Sequence, residues 1–322
     1  MDKGLIAYTK GGPEVMEWRD LPLGTPGEGE VLLRHTAIGV NFIDVYFRTG
    51  LYPWAGDTMI PGAEAAGVVE AVGPGVTSLS VGDRVVYSLR NGAYRRRRVV
   101  PADRMVKIPD SISEEIAAST MLKGMTAQYL ATSSYKVQRG DTVLVHAAAG
   151  GVGLLLGQWL KSLGAHAIGT AGSADKVALA LKHGYEHVIN YRTEDFVAAV
   201  KELTGGKGCA AVYDSVGKDT WRGSLKCISR LGMFVSFGQS SGLLEGFTLT
   251  ELANHGSLSA NRPLLFDYIA ERADLEWRSN DLFSKLLSGE VRADTISTRP
   301  LQEAAEAHRA LEAREKQRER QC

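Results

Sequence analysis

The chain has 322 residues, room for about two domains at ~150 residues each. Hydrophobic residues make up 44% and charged residues 23%, a soluble mixture able to bury a sizeable core. Lys+Arg and Asp+Glu both number 37, and a formal net charge of zero removes the electrostatic case for a protein built to sit on nucleic acid or a membrane surface.

The N-terminal MDKGLIAYTKGGPEV lacks the apolar run of a secretory signal, so a cytoplasmic protein is expected. Glu30–Arg34, Gly67–Val72 and Asp83–Ser88 read as strands. Turn signals at Pro26-Gly27, Gly73-Pro74-Gly75 and Asn91-Gly92 separate them, and a small, mostly β domain ending near Met121 follows. Arg95-Arg96-Arg97-Arg98 is the one strong basic run. On an edge strand, alternate arginines would point to solvent and discourage edge pairing. An RNA-binding patch is the other reading, ranked lower because no aromatic platform accompanies it.

The middle changes character. Thr142–Ala147 is a near-continuous apolar run, as in a strand covered on both faces. Gly153–Leu163 has helical length and is closed by Gly164. Ala165–Thr170, Val188–Asn190, Ala210–Asp214 and Gly232–Gly238 are further strands. Helices at Ala174–Lys182, Glu194–Leu203 (with Thr193 as N-cap) and Thr220–Ile228 alternate with them. This alternation predicts a parallel sheet with right-handed crossovers. Thr142 to Leu160 carries no charge, but Gly150, Gly151, Gly153 and Gly157 break it into strand, turn and buried helix rather than a membrane span. Beyond Pro263, helices are expected at Asn280–Leu287 and Pro300–Arg314. Pro300 suits the first helical position, with Leu301, Ala304, Ala305, His308 and Leu311 on one face.

Ala147-Ala148-Ala149-Gly150-Gly151-Val152-Gly153 follows a strand and opens a helix, the context a dinucleotide fingerprint requires. Gly150 and Gly151 let backbone approach a pyrophosphate, Gly153 lets the helix pack on the sheet, and the helix N-terminus offers N–H groups to the anion. A tight strand–helix turn without a ligand is the alternative. Ala148 replaces the first glycine of the fingerprint. Sites for NAD place an acid about 20 residues on, to bond the ribose 2′-OH. Here that stretch is Thr170-Ala171-Gly172-Ser173-Ala174-Asp175-Lys176, with no acid at the strand end. Gly172 and Ser173 leave room and Lys176 offers charge to a 2′-phosphate, which favours NADPH. Lys176 reads equally as a solvated helix residue, and Asp175 as a cap.

GAEAAGVVEAVGPGVTSLSVGDRVV (Gly62–Val86) resembles the signature of the medium-chain dehydrogenase/reductase superfamily. Ile38–Pro53, LKGMTA (Leu122–Ala127), HAAAGGVG (His146–Gly153), INYR (Ile189–Arg192), VYDSVG (Val212–Gly217) and FGQSSG (Phe237–Gly242) look like the bacterial quinone oxidoreductases related to ζ-crystallin. The resemblance implies an α/β protein. A GroES-like β-rich catalytic domain spans 1–122 and a Rossmann-type doubly wound parallel-sheet NADPH-binding domain 123–262. By the same resemblance, residues 263–322 are expected to return to the catalytic domain, with a cleft between the two domains. It also implies a homodimer formed by sheet extension. Relatives usually close on a short apolar strand, whereas this chain ends in the charged stretch Glu315–Cys322.

Zinc-dependent members carry ligands at positions that resemble Asn41 and Ala63 here. Glu64 alone does not make a tetrahedral site, and Cys209, Cys227 and Cys322 lie elsewhere, so no metal is expected. Without a Lewis acid, a ready hydride acceptor such as a quinone or an activated alkene suits the site better than an alcohol.

By resemblance, Asn41 and Phe42 line the nicotinamide side, Asn41 orienting the carboxamide or a substrate carbonyl. Otherwise Asn41 is a turn residue. Tyr46 and Tyr52 line the substrate pocket and offer an O–H to a quinone oxygen; plain aromatic packing is the other reading. Asp44 holds a neighbour or makes a surface ion pair, and Glu64 is a structural acid or a catalyst. Lys123 and Thr126 face the cofactor's phosphates and nicotinamide, though Lys123 could be a solvated helix-end charge. Tyr191, with Gly172, Ser173 and Lys176, covers the adenine or meets the 2′-phosphate. Ser215, Phe237, Gly238 and Ser240 sit beyond strand carboxyl ends, where ligands gather, and Arg314 matches a position near the cofactor. The expected activity is zinc-independent NADPH:quinone reduction. The alternatives are a 2-alkenal or enoyl reductase, an NADPH-binding regulatory or RNA-binding protein, or a crystallin-like structural role.

Overall fold

The computed structural model describes residues 2–54, 56–294 and 296–319, with side chains through Ala313. The N-terminal strands β1 (Asp2–Ala7) and β2 (Met16–Leu21) pair antiparallel. Next come β3 (Glu30–Gly39), α1 (Phe42–Thr49), β4 (Glu64–Val72), β5 (Arg84–Ser88), β6 (Arg97–Pro101) and β7 (Val106–Lys107). These strands form an antiparallel sheet in the order β6-β3-β4-β5-β7. Alternate residues point inward, so Val31, Leu33, Ala65, Val69, Val85, Tyr87 and Val100 form one core.

The arginine run is solvated in part: Arg96 is exposed, and Arg95, Arg97 and Arg98 are half-buried. β6 is an edge, as expected, and the run leading into it also finds partners within the protein. Arg95 donates to the Pro22 carbonyl at 2.5 Å, and Arg96 lies 5.7 Å from the Trp18 ring centroid. The Arg97 backbone N–H donates to Asp2 at 2.7 Å, and Arg98 donates to the Tyr87 hydroxyl at 3.2 Å. A buried Asp2 and two aromatic faces supply attractions that alternation alone does not foresee.

After α2 (Glu114–Tyr129) the chain alternates: β8 (Thr142–Val145), α3 (Gly151–Leu163), β9 (His166–Ala171), α4 (Ala174–Lys182), β10 (His187–Asn190), α5 (Phe196–Leu203), β11 (Cys209–Asp214), α6 (Trp221–Cys227), β12 (Ile228–Ser236), α7 (Leu249–Asn254) and β13 (Ser259–Asn261). All six strands are parallel, in the order β10-β9-β8-β11-β12-β13. Chain order reverses between β8 and β11, the switch point at which open α/β sheets bind ligands. α8 (Leu265–Tyr268), α9 (Arg272–Ser288) and α10 (Ala304–Glu319) complete the chain.

Several boundaries differ from expectation for local reasons. α5 is capped by Asp195, whose carboxylate accepts from the Val197 and Ala198 N–H groups, rather than by Thr193. β12 begins four residues early at Ile228, so Phe237 and Gly238 lie past its end. β13 is three residues long, too short for alternation to register. Pro300 precedes a 3-10 turn, Leu301–Glu303, and stands just outside the helix. α10 continues through Glu319 as helix. Leu301, Ala304 and Ala305 pack with Leu5, Met16 and Tyr94, and His308 is buried on the same face.

The chain divides into two compact units. One holds residues up to Leu122, Ile269–Phe283 and the segment from Ala293 onward; the other holds Lys123–Tyr268 and Ser284–Arg292. Among the described residues no helix is long and apolar enough to cross a membrane. Cys209 and Cys227 are buried in the core of the parallel-sheet unit, and burial pushes both thiols up to about 12, which keeps them protonated and inert.

Candidate functional site

In the parallel-sheet unit the glycine turn leads from β8 into α3. Gly150 is the N-cap, and Gly151, Val152 and Gly153 form the first turn, so the helix starts two residues earlier than its apolar pattern suggests. The first intrahelical bond runs from Leu154 N–H to the Gly150 carbonyl at 2.9 Å. The three N–H groups before it therefore stand outside the helix ladder, as an anion site requires. The Lys123 stem lies over Gly151, adding a positive charge at that helix end. Gly153 has no room for a side chain: a Cβ there would fall 2.5 Å from the Ala147 carbonyl oxygen and 2.6 Å from that of Ala148. Ala148 itself is accommodated by Gly169 on β9, where a Cβ would fall 2.6 Å from the Ala148 methyl.

At the end of β9, the Tyr191 hydroxyl lies over Gly172, in the space a side chain would fill. Ser173 caps α4, its Oγ accepting from Lys176 N–H at 3.4 Å. Lys176 is half-buried and Asp175 is exposed on the first turn. On the other side of the switch point, Phe237 N–H donates to the Asp214 carbonyl at 2.9 Å, and Ser240 N–H to the Ser215 carbonyl at 3.2 Å. Gly238 packs so closely on Ser215 that a Cβ would fall 2.7 Å from its carbonyl oxygen. Thr126 is buried on α2. The structure thus gathers Lys123, Gly150–Gly153, Gly172, Ser173, Lys176, Tyr191, Ser215, Phe237, Gly238 and Ser240 in one unit, most of them at the carboxyl edge of its sheet. Arg314 lies in α10, but its side chain is outside the described residues.

Beneath that edge runs a buried polar network that motif reading passes over. Asp214 is fully buried. One carboxylate oxygen accepts from Val216 N–H at 2.8 Å and Gly217 N–H at 3.0 Å; Thr220 Oγ1 and Ser224 Oγ each donate to the other at 2.8 Å. Because Ser224 donates to Asp214, its oxygen accepts from His146 Nε2–H at 3.0 Å. His146 Nδ1 then accepts from Thr170 Oγ1–H at 3.0 Å. The network ties together the carboxyl ends of β9, β8 and β11. Its only advance signal is a polar residue at the end of each apolar run.

In the other unit, Asn41 caps α1 and is buried. Its backbone N–H donates to Asp44 Oδ2 at 2.8 Å, and its Nδ2 donates to Glu64 Oε1 at 2.7 Å. Glu64 is fully buried, and its other oxygen accepts from Leu122 N–H at 2.6 Å. Glu64 therefore holds Asn41 and α2 in place, and Asp44 holds the helix N-terminus rather than making a surface ion pair. Phe42, Tyr46 and Tyr52 are half-buried and form an aromatic row, with ring centroids 6.1 Å apart for the first pair and 5.2 Å for the second. Ala63 is buried with no donor atom, and among the described residues no three His, Cys, Asp or Glu side chains gather around a metal position.

Two histidines here give the unit a pH dependence. His308 is buried beside Arg48, and both effects pull it down to about 3. His35 is lowered to about 4, burial outweighing its bond to the Arg95 carbonyl. His35 keeps part of its surface accessible, so the larger share is assigned to His308. Both stay neutral in the fold and take up a proton on unfolding below the usual 6.5. Their stabilisation is complete above that pH and is lost as pH falls toward 3. At pH 5, His308 alone should account for a loss of about 2 kcal/mol. Urea midpoints at pH 7 and pH 5 test this: the drop should shrink in His308→Gln, and an equal drop in that variant would refute the assignment.

Comparison with known proteins adds an independent view. Residues 27–110 match the alcohol dehydrogenase GroES-like domain, and residues 151–266 match the zinc-binding dehydrogenase domain. The chain is 49% identical over 310 residues to a quinone oxidoreductase of Salmonella typhimurium, covering 95% of each. It is 44% identical over 317 residues to a 2-haloacrylate reductase of a Burkholderia species, covering 96% of this chain and 95% of that protein. Among solved structures it resembles an Escherichia coli quinone oxidoreductase complexed with NADPH, with a TM-score of 0.93, 45% identity and 97% of each chain covered.

Proposed function

The chain belongs to the quinone oxidoreductase family of the medium-chain dehydrogenase/reductase superfamily, and from that premise we propose that it is a zinc-independent NADPH:quinone reductase. The observation that carries the cofactor choice is the end of β9. It presents no acid to a ribose 2′-OH, and instead sets Tyr191 over Gly172 beside Ser173 and Lys176. The first turn of α3, with Lys123 above it, fits a pyrophosphate. When bound, NADPH supplies the reducing equivalents as hydride.

The protein's own residues orient the reactants and exclude water. Asn41, its amide nitrogen committed to Glu64, is the residue we assign to orienting the nicotinamide carboxamide or a substrate carbonyl. Tyr46 and Tyr52 form an aromatic wall for a flat acceptor and offer O–H groups to a reduced oxygen. Ala63 and Asn41 resemble the positions at which zinc-dependent members of the superfamily carry ligands, and neither is a Cys or His, which supports chemistry without metal. β13 ends the parallel sheet, and a second copy pairing there would give the homodimer. A cytoplasmic location completes the reading. RNA binding ranks last, since the Arg95 and Arg98 side chains are engaged internally and the formal net charge is zero.

A second reading, reduction of an activated alkene, is favoured by the 2-haloacrylate reductase among the relatives. Loss of NADPH absorbance with 1,4-benzoquinone, a polycyclic quinone and a 2-alkenal separates the two. Fast turnover with the quinones supports the reductase, and turnover with the alkenal alone replaces it. Lys176→Ala should raise the KM for NADPH about tenfold, the loss of one charge-assisted contact, and leave that for NADH unchanged. Equal effects on both cofactors would remove Lys176 from the 2′-phosphate site.

A further inference from the structure

We propose that Tyr94 and His308 are positioning residues for Asn41, joined to it by a chain of hydrogen bonds whose donors run from Arg48 to the Asp44 carboxylate, which also accepts the Asn41 N–H. The proposal rests on the reading that Asn41 lines the nicotinamide side. Arg48 is fully buried. It donates from Nε to the Gly11 carbonyl at 3.0 Å, from Nη2 to Glu312 Oε1 at 2.6 Å, and from Nη1 to His308 Nδ1 at 3.1 Å. A guanidinium has no acceptor, so Nδ1 of His308 must accept, and the ring proton lies on Nε2. That nitrogen is 2.9 Å from the Tyr94 hydroxyl. The Tyr94 oxygen is thereby the acceptor, and its own O–H donates to Asp44 Oδ2 at 3.1 Å. The same oxygen accepts the Asn41 N–H at 2.8 Å.

Each link from Arg48 to Asp44 is thus fixed by the one before it, and the Asp44 oxygen so placed holds the N-cap of α1. Neutral His308 is the only form that can both accept from Arg48 and donate to Tyr94. Arg48, His308, Tyr94 and Asp44 are all fully buried. An apolar cluster of the same volume would hold α10 to α1 at least as firmly. What a polar chain of linked donors and acceptors adds is one defined orientation. That orientation ends on Asn41, whose side chain is held from the opposite direction by Glu64. The residue is clamped at its backbone by one network and at its amide by the other.

Tyr94→Phe removes one O–H and little volume. His308→Leu removes both bonds, whereas His308→Gln can still accept through its carbonyl and donate through its amide. Steady-state kinetics with NADPH and 1,4-benzoquinone, together with melting temperatures, make the test, with Asn41→Ala as reference. Tyr94→Phe and His308→Leu should each lower kcat about 5–20-fold, as loss of orientation does, with KM for NADPH within about twofold. His308→Gln should restore kcat to within about threefold of the parent. If Asn41→Ala lowers kcat but Tyr94→Phe and His308→Leu lower only the melting temperature, the chain is a tether for α10 and the proposal falls. If Asn41→Ala itself leaves kcat unchanged, the reading of Asn41 falls and takes the proposal with it. Should His308→Leu fail to fold, Tyr94→Phe carries the comparison alone.

Discussion

Asp214→Ala should lower the melting temperature by roughly 10 °C and weaken NADPH binding besides. The carboxylate is buried and accepts from Val216 N–H, Gly217 N–H, Thr220 Oγ1 and Ser224 Oγ. Removing it leaves four donors facing one another in a space from which solvent is excluded. Each such orphan costs ~1–3 kcal/mol, and water entering the vacated volume recovers part of that, so a net loss of about 3–5 kcal/mol is expected. Binding should suffer because the turn over Val216 and Gly217, and the ends of β8 and β9 through Ser224, His146 and Thr170, all rest on this one group. Asp214→Asn should fall between, since its amide nitrogen would oppose a donor. Differential scanning fluorimetry with and without NADPH reads both effects. A shift in Asp214→Ala under about 3 °C would show that the network contributes little.

Two neighbouring glycines should separate folding from binding. In Gly153→Ala the new methyl meets two backbone carbonyl oxygens, at 2.5 and 2.6 Å, and backbone cannot step aside. The strand–helix turn must open, at a cost of about 2–3 kcal/mol, and KM for NADPH should rise at least about tenfold. In Gly151→Ala the methyl meets the Lys123 side chain, Cδ at 2.9 Å and Cε at 3.0 Å, which is flexible and can swing away. The fold should lose nothing and gain up to about 1 kcal/mol from helix propensity. KM for NADPH should still rise, by about 3–10-fold, because Lys123 is pushed off the helix end. Equal melting temperatures for the two variants would refute the distinction.

The parallel sheet was largely legible in the sequence because each strand is a short apolar run between turn residues and each helix has a recognisable start and stop. Boundaries slipped where competing caps lay close together, as with Thr193 and Asp195, or where the element was as short as Ser259–Asn261. The glycine turn was legible because close approach demands glycine, and Gly153 is a plain instance. The polar interior was not. Arg48 and His308 are 260 positions apart, and nothing in local pattern pairs them. Alternation at 95–98 foresaw an exposed Arg96 but not the bonds of Arg95 and Arg98, because periodicity says which way a side chain points, not what awaits it there. Glu64 and Asp44 each carried two readings, and only contacts with Leu122 and Asn41 decide between them.

Ala148 and Gly169 share one volume, and that constrains the order in which such a sequence can change. A methyl at 148 is tolerable only while 169 has none, since the two Cβ positions lie 2.6 Å apart. In any lineage that moved from glycine to alanine at 148, residue 169 was therefore already glycine or changed with it. Taken together, the two positions hold a single methyl group, and a fingerprint defined on one strand is in part a property of the next.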